Sequence, residues 1–204
     1  MEQIEQIKNR FFNNEFVEYK GGVQGMYIDD HGKIVMGNRA GPSTWAPSFD
    51  IKNLVHEMSH MVEIDDARMR CHGWGLKLPQ IWVYDRYCCE PITKQITDRE
   101  LRVAAYQVNL LKHFKIPVRI SNITSSLEWL ADTCFVPLED GQMPYSEGRT
   151  HNLDYTQIKT SQARWRVNEV KRLMKEFTAE RFISEWDRKI NWLGNNPYVV
   201  DNGE

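Results

Sequence analysis

Apolar residues recur at helical spacing in the first dozen positions. Ile4, Ile7, Phe11 and Phe12 share one side of the stretch 2–13 while charged residues fill the other, which predicts an amphipathic N-terminal helix. The period then changes. From Val23 to Gly37 apolar and polar residues alternate about Asp29-Asp30-His31-Gly32, turn chemistry that predicts a β-hairpin. Residues 38–47 hold Pro42, Pro47, Gly41 and Trp45 and read as a loop, after which Ser48 or Asp50 is placed to cap a helix beginning near Ile51. Beyond Arg68 the helical pattern lapses, and Ile81-Trp82-Val83-Tyr84 reads as a short strand. Thr97 and Glu100 have the spacing of a capping box ahead of Leu101, Ala104, Ala105, Val108, Leu111 and Phe114, so a second strong helix is expected over 98–114. A short third helix is expected over 125–132, and residues 136–160 read as a long irregular connection of the kind that often carries function. Two closing helices follow over about 161–193, capped by Ser161 and Thr178. Trp165, Val170, Leu173, Phe177, Phe182, Ile183, Trp186 and Ile190 form their core-facing stripes.

The pattern predicts an α+β fold in one domain spanning 1–204, predominantly helical, with a small β-sheet or hairpin packed beside the helix that begins near Ile51. Composition narrows the rest. The 204 residues carry 26 Lys+Arg against 28 Asp+Glu, a net charge of -2, which disfavours a dedicated nucleic-acid binder. A hydrophobic fraction of 41% and a mean hydropathy of -0.58 suit a water-facing globule, and no apolar run reaches the roughly 18 residues of a membrane span. The N-terminus lacks an apolar stretch of secretory type, so a cytoplasmic setting is expected. Cys71, Cys88, Cys89 and Cys134 lack the paired spacing of a zinc ribbon and are expected to be free thiols.

Chemistry concentrates in residues 54–63, Leu-Val-His-Glu-Met-Ser-His-Met-Val-Glu. His56 and His60, four apart in a helical segment, lie on one face and can reach one Zn²⁺, while Glu57 is rotated by about 100° to flank it. Two imidazoles and a neighbouring carboxylate are the parts of a metal site that activates water, with Glu57 as the general base. This composition would produce the pattern by chance in about one sequence in a hundred, and its placement on a helix with buried-type flanks favours a metal site over two core histidines.

A catalytic zinc ordinarily takes a third protein ligand. Glu63 shares the face of His56 and His60, but the next turn of a straight helix diverges from a centre already held by two of its residues. Asp66 sits where a longer motif would put a histidine, yet Glu63 replaces the glycine that makes that turn possible. His72, in His72-Gly73-Trp74-Gly75, lies in a loop able to swing back over the helix. Glu100 reaches the metal if the second helix packs antiparallel to the first; otherwise it is a helix cap. Oxyanion donors are available in Tyr84, Tyr87, Tyr106, Arg102 and His72, and Trp45 and Trp74 flank the motif helix.

On these residues the chain resembles the zincin metallopeptidases, in the gluzincin-like arrangement that completes HExxH with a glutamate from a later helix. The run from Glu100 to Leu111 is similar to the E-x-x-A-x-x-F-x-x-x-L-L rhythm of ImmA/IrrE-type peptidases, with Val103 at the small position, Tyr106 at the aromatic one and Leu110-Leu111 as the pair. His72-Gly73 is similar to a histidine motif of SprT-like proteases, although Trp74 comes two residues early. The resemblance covers about residues 50–115. It implies zinc-dependent peptide hydrolysis with His56, His60 and Glu100 (or His72) as ligands and a protein or peptide as substrate. It also implies a sheet edge near Lys33–Met36 beside the cleft. A different reading is a non-catalytic zincin-like protein that binds a protein partner, such as a phage or host-interaction factor, through the 136–160 connection and the late helices. Nucleic-acid association is suggested only by Arg164, Arg166, Lys171, Arg172 and Lys175, a cluster that more simply forms a solvated helix face.

Overall fold

The computed structural model describes residues 2–23, 25–28, 33–40, 48–49, 51–63, 90–127 and 155–195. Helix α1 (Glu2–Phe11) buries Ile7 and Phe11. Asn14 ends it. Its Nδ2 donates to the Phe11 carbonyl at 2.8 Å while its Oδ1 accepts from the N–H groups of Phe16 and Val17 at 2.9 and 2.8 Å, an Asx turn that feeds the chain directly into β1 (Val17–Tyr19). The expected hairpin is present as the antiparallel pair β2 (Met26–Ile28) and β3 (Ile34–Met36), with Ile28 opposite Ile34. Its turn, residues 29–32, lies outside the described residues.

β1 adds parallel to β3 with Val17 opposite Ile34, so the sheet order is β1-β3-β2. This corrects the expectation of a sheet edge at Lys33–Met36. Ile34, Val35 and Met36 are all buried, and such an unbroken apolar run belongs to a strand covered on both faces. Gly37 follows, where any Cβ would overlap the Val23 carbonyl. The segment read as a loop contributes β4 (Arg39–Ala40), which pairs antiparallel with β5 (Ser48–Phe49).

Helix α2 (Ile51–Glu63) starts where expected and buries Leu54, Val55, Met58, Met61 and Val62, with β3 and β4 beside it. Helix α3 (Glu90–His113) is longer than its periodicity predicts. Pro91 in the first turn explains the early start, because its missing N–H would have no intrahelical acceptor there and its fixed φ suits a helix. Thr97 and Glu100 consequently lie inside the helix rather than at its N-terminus. The other end is a Schellman turn: Ile116 N–H donates to the Leu111 carbonyl at 2.8 Å and Lys115 N–H to Lys112 at 2.9 Å, with Lys115 in the left-handed region at φ 57°.

Helix α4 (Ile120–Ser125) ends where the short third helix was expected to begin, and residues beyond 127 in that expected span lie outside the described residues. Helix α5 (Tyr155–Leu173) absorbs the last residues of the expected connection, which places Ser161 within it rather than at its cap. Tyr155-Thr156-Gln157-Ile158-Lys159-Thr160 is rich in β-branched and polar residues, a weak helix former by itself. Helix α6 (Ala179–Asn195) is capped as expected, with the Thr178 hydroxyl accepting from Arg181 N–H at 3.2 Å. α2 packs along α3, α6 covers both, and α5 lies against α3 and α4. Phe11 joins the ends of the chain, edge-on to Phe114, Phe182 and Trp186 with centroids 5.9, 5.7 and 5.3 Å away. Burying each such ring contributes about 1.5–3 kcal/mol. Among the described residues, no helix is long and apolar enough to cross a membrane.

Candidate metal centre

Side-chain contacts tie α2 to α3 along the length of α2. Glu63 meets Arg102, His56 and His60 meet Glu100, and Lys52 meets Gln107. That register carries Glu100 to the two histidines of α2. The Nε2 atoms of His56 and His60 are 3.0 Å apart, and a carboxylate oxygen of Glu100 is 3.8 Å from the first and 3.7 Å from the second. Ligands held at about 2.0–2.1 Å around a tetrahedral ion stand about 3.3 Å from one another, and the three observed separations bracket that value. His56, His60 and Glu100 therefore form a group able to hold a metal ion.

The surroundings suit that role. Glu100 and His60 are 2 and 3% exposed, while the His56 side chain keeps 24% of its surface, so the group is closed on the core side and open on one flank. Burial lowers the His56 pKa to about 4, a hydrogen bond with the Gln107 side chain opposing it. Burial also pushes His60 well below its usual range, helped by the charges of His56 and Arg99. Both imidazoles are neutral at pH 7, the state in which a ring nitrogen offers a lone pair. The two Nε2 atoms are at hydrogen-bond distance, so one of them donates to the other while no ion is held; with both carrying lone pairs, two nitrogens and a carboxylate oxygen form a set that a divalent cation of borderline softness fits. Glu57, the next residue on α2, is partly buried, and burial raises its pKa to about 7. A carboxyl group poised there exchanges protons near neutral pH.

Glu63 is not a third ligand. Its carboxylate is paired with the Arg102 guanidinium, an ion pair that joins the C-terminal end of α2 to α3. Arg102 thus has a structural partner, and Tyr106 is packed edge-on against Phe177 and Phe182 with centroids 5.1 and 5.7 Å away. Burial pushes the Tyr106 hydroxyl up to about 12. Arg102 is thus held by Glu63, and the Tyr106 ring belongs to the packed core. The alternative ligand His72 lies outside the described residues, as do Asp66, Tyr84, Tyr87, Trp45, Trp74, the four cysteines, the strand expected at 81–84 and most of the 136–160 connection.

Of the basic cluster on α5, Arg166 is buried at 3% exposure and cannot belong to a solvated face, and Arg172 is paired with Glu169 at 2.5 Å. The remaining cations, Arg164 and Lys171 on α5 and Lys175 in the turn after it, are exposed. Gln107, buried in the α2–α3 contact, is not singled out by any motif; its one trace in the sequence is that it lies two helical turns from Glu100 on the same side of α3. No match to a known protein family, to a curated protein or to a solved structure was found for this chain.

Proposed function

We propose that the chain is a zinc-dependent peptide hydrolase of the gluzincin-like zincin type. The observation that carries this reading is the convergence of His56 Nε2, His60 Nε2 and the Glu100 carboxylate within 4.8 Å of one another, directly beside Glu57 on the same helix. Bound there, zinc would supply Lewis acidity toward a peptide carbonyl and the attacking water. The chain's own residues supply the remainder. His56 and His60 present neutral nitrogens, because burial disfavours their charged forms. Glu100 brings the negative charge that offsets a dication. Glu57 takes the proton of water as it attacks and returns it to the leaving amine, a task suited to a carboxyl group with a pKa of about 7.

The test has two arms. Protein purified without added metal should carry about one zinc per chain, as expected for one three-ligand site. Glu57→Gln should keep the zinc while lowering cleavage of an unstructured peptide substrate by about 10²–10⁴-fold, the usual contribution of a general base. Zinc-free protein at neutral pH, or an undiminished Glu57→Gln enzyme, would contradict the proposal.

A further inference from the structure

Gln107 is 4% exposed and sits within the α2–α3 contact, two turns along α3 from Glu100. Its Nε2 donates to the Lys52 carbonyl at 2.7 Å. A carbonyl oxygen only accepts, so this bond fixes which way round the amide lies and turns Oε1 in the other direction. That oxygen is buried and has no partner at ordinary hydrogen-bond length among the described residues. Leaving such an acceptor unsatisfied costs about 1–3 kcal/mol. The titratable side chain of α2 that the Gln107 amide lies close enough to act on is His56. Lys52 lies one turn before it on α2, and helical side chains lean toward the helix N-terminus, which sets the imidazole over the turn that Gln107 clasps. The His56 Nε2 faces His60 and Glu100, leaving Nδ1 for the amide.

We infer that Gln107 is a positioning residue: its Oε1 accepts the Nδ1–H of His56 and so holds the imidazole in the tautomer whose Nε2 lone pair points at the metal position. This rests on the metal-site reading above. A neutral imidazole free in water favours the opposite tautomer, with the proton on Nε2, which cannot ligate. An acceptor fixed on the Nδ1 side reverses that preference before any metal arrives. The anchor to Lys52 gives the acceptor its rigidity, since an amide held at one end loses little further freedom in meeting the ring.

The experiment reads the tautomer directly. Two-bond ¹H–¹⁵N spectra of chelator-treated protein at pH 7.5 should show His56 as the Nδ1–H form in the native chain and as predominantly Nε2–H in Gln107→Met, which keeps the length of the side chain and removes the acceptor. Zinc affinity, measured by chelator competition, should fall about 10–100-fold in Gln107→Met, the usual effect of losing an outer-shell partner. In Gln107→Glu, which keeps an acceptor and loses the donor to Lys52, it should stay within about threefold of the native value. An Nδ1–H His56 in Gln107→Met, equal zinc affinity of Gln107→Met and the native chain, or an equal loss in Gln107→Glu and Gln107→Met would overturn the assignment. If the native chain takes up no zinc, the metal reading fails by itself, and the tautomer spectra still decide whether Gln107 orients His56.

Discussion

Of the polar side chains that helix α3 turns inward, Glu100 faces α2 and Asn109 the α5–α6 junction, and these two meet their surroundings in opposite ways. The Asn109 Nδ2 donates to the carbonyls of Met174 and Phe177 at 2.9 and 2.7 Å. Both of its protons are used, and both carbonyls lie where α5 ends and would otherwise lack intrahelical donors. Glu100, by contrast, places an acceptor beside the nitrogens of two imidazoles that burial keeps neutral. Asn109 supplies donors to carbonyls of two chain segments, whereas Glu100 stands with His56 and His60 in a group whose ligand atoms lie close enough to hold a metal ion. The same helix thus carries one polar side chain matched to backbone carbonyls and one that belongs to a group able to hold a metal ion.

Separating stability from metal affinity tests that distinction, and the largest effect is expected at Glu100. Glu100→Gln should weaken zinc binding by about a hundredfold or more, about 2.7 kcal/mol, because it removes a ligand and the charge that offsets the ion. Asn109→Ala should cost about 2 kcal/mol of folding stability, two carbonyls losing their donors, and leave zinc affinity within about threefold. Urea unfolding and chelator competition on both variants give the four values. A destabilised Asn109→Ala that also loses zinc as severely as Glu100→Gln would erase the contrast between the two sides of α3.

A smaller effect is expected in the pH dependence of stability of chelator-treated protein. The folded-state pKa of His56 is about 4 against 6.5. Between those values the unfolded chain binds more protons, so this group makes stability rise with pH through that window, and His60 acts with the same sign. Glu57 works the other way. With its pKa raised from 4.5 to about 7, the folded chain holds the extra proton, and stability falls as pH rises between those values. The opposed terms flatten the native profile over pH 4.5–6.5. Glu57→Gln removes the second, so the variant's stability should climb more steeply with pH, by up to about 1.4 kcal/mol per pH unit. Urea unfolding at several pH values reads the difference. Parallel profiles for the two proteins would show that Glu57 ionises normally.

The group on α2 is legible from sequence because His56, Glu57 and His60 need only the period of one helix to be placed. Glu100 is legible as a candidate, but the local feature that draws attention to it misleads. The Thr97–Glu100 spacing resembles a cap, while the helix in fact starts at Glu90, with Pro91 in its first turn. β1 escapes the pattern because three residues are too few to show alternation and their partner is a parallel strand beyond β2. The interior position of β3 depends on that same pairing. Gln107 has meaning only once α2 and α3 are in register, and the burial of Arg166 only once α5 lies on α3 and α4. Local period and spacing reach single elements; contacts set by packing lie beyond them.

The smallest expected effect sharpens the same division at the C-terminal end of α3. Lys115 adopts φ 57° to close the Schellman turn with Leu111 and Lys112, a conformation that is unfavourable for a residue with a Cβ and free of that cost for glycine. Lys115 is exposed, so its side chain contributes little packing in return. Lys115→Gly should therefore raise stability by up to about 1 kcal/mol, less whatever the added freedom of the unfolded chain takes back. Zinc affinity should be unchanged, because this turn supports the side of α3 that faces the core and the α4 connection, several turns from Glu100. Thermal unfolding with and without zinc measures both quantities. A gain in stability accompanied by altered zinc affinity would mean that the end of α3 and the metal group are mechanically coupled, and that the two kinds of polar contact on this helix are not independent.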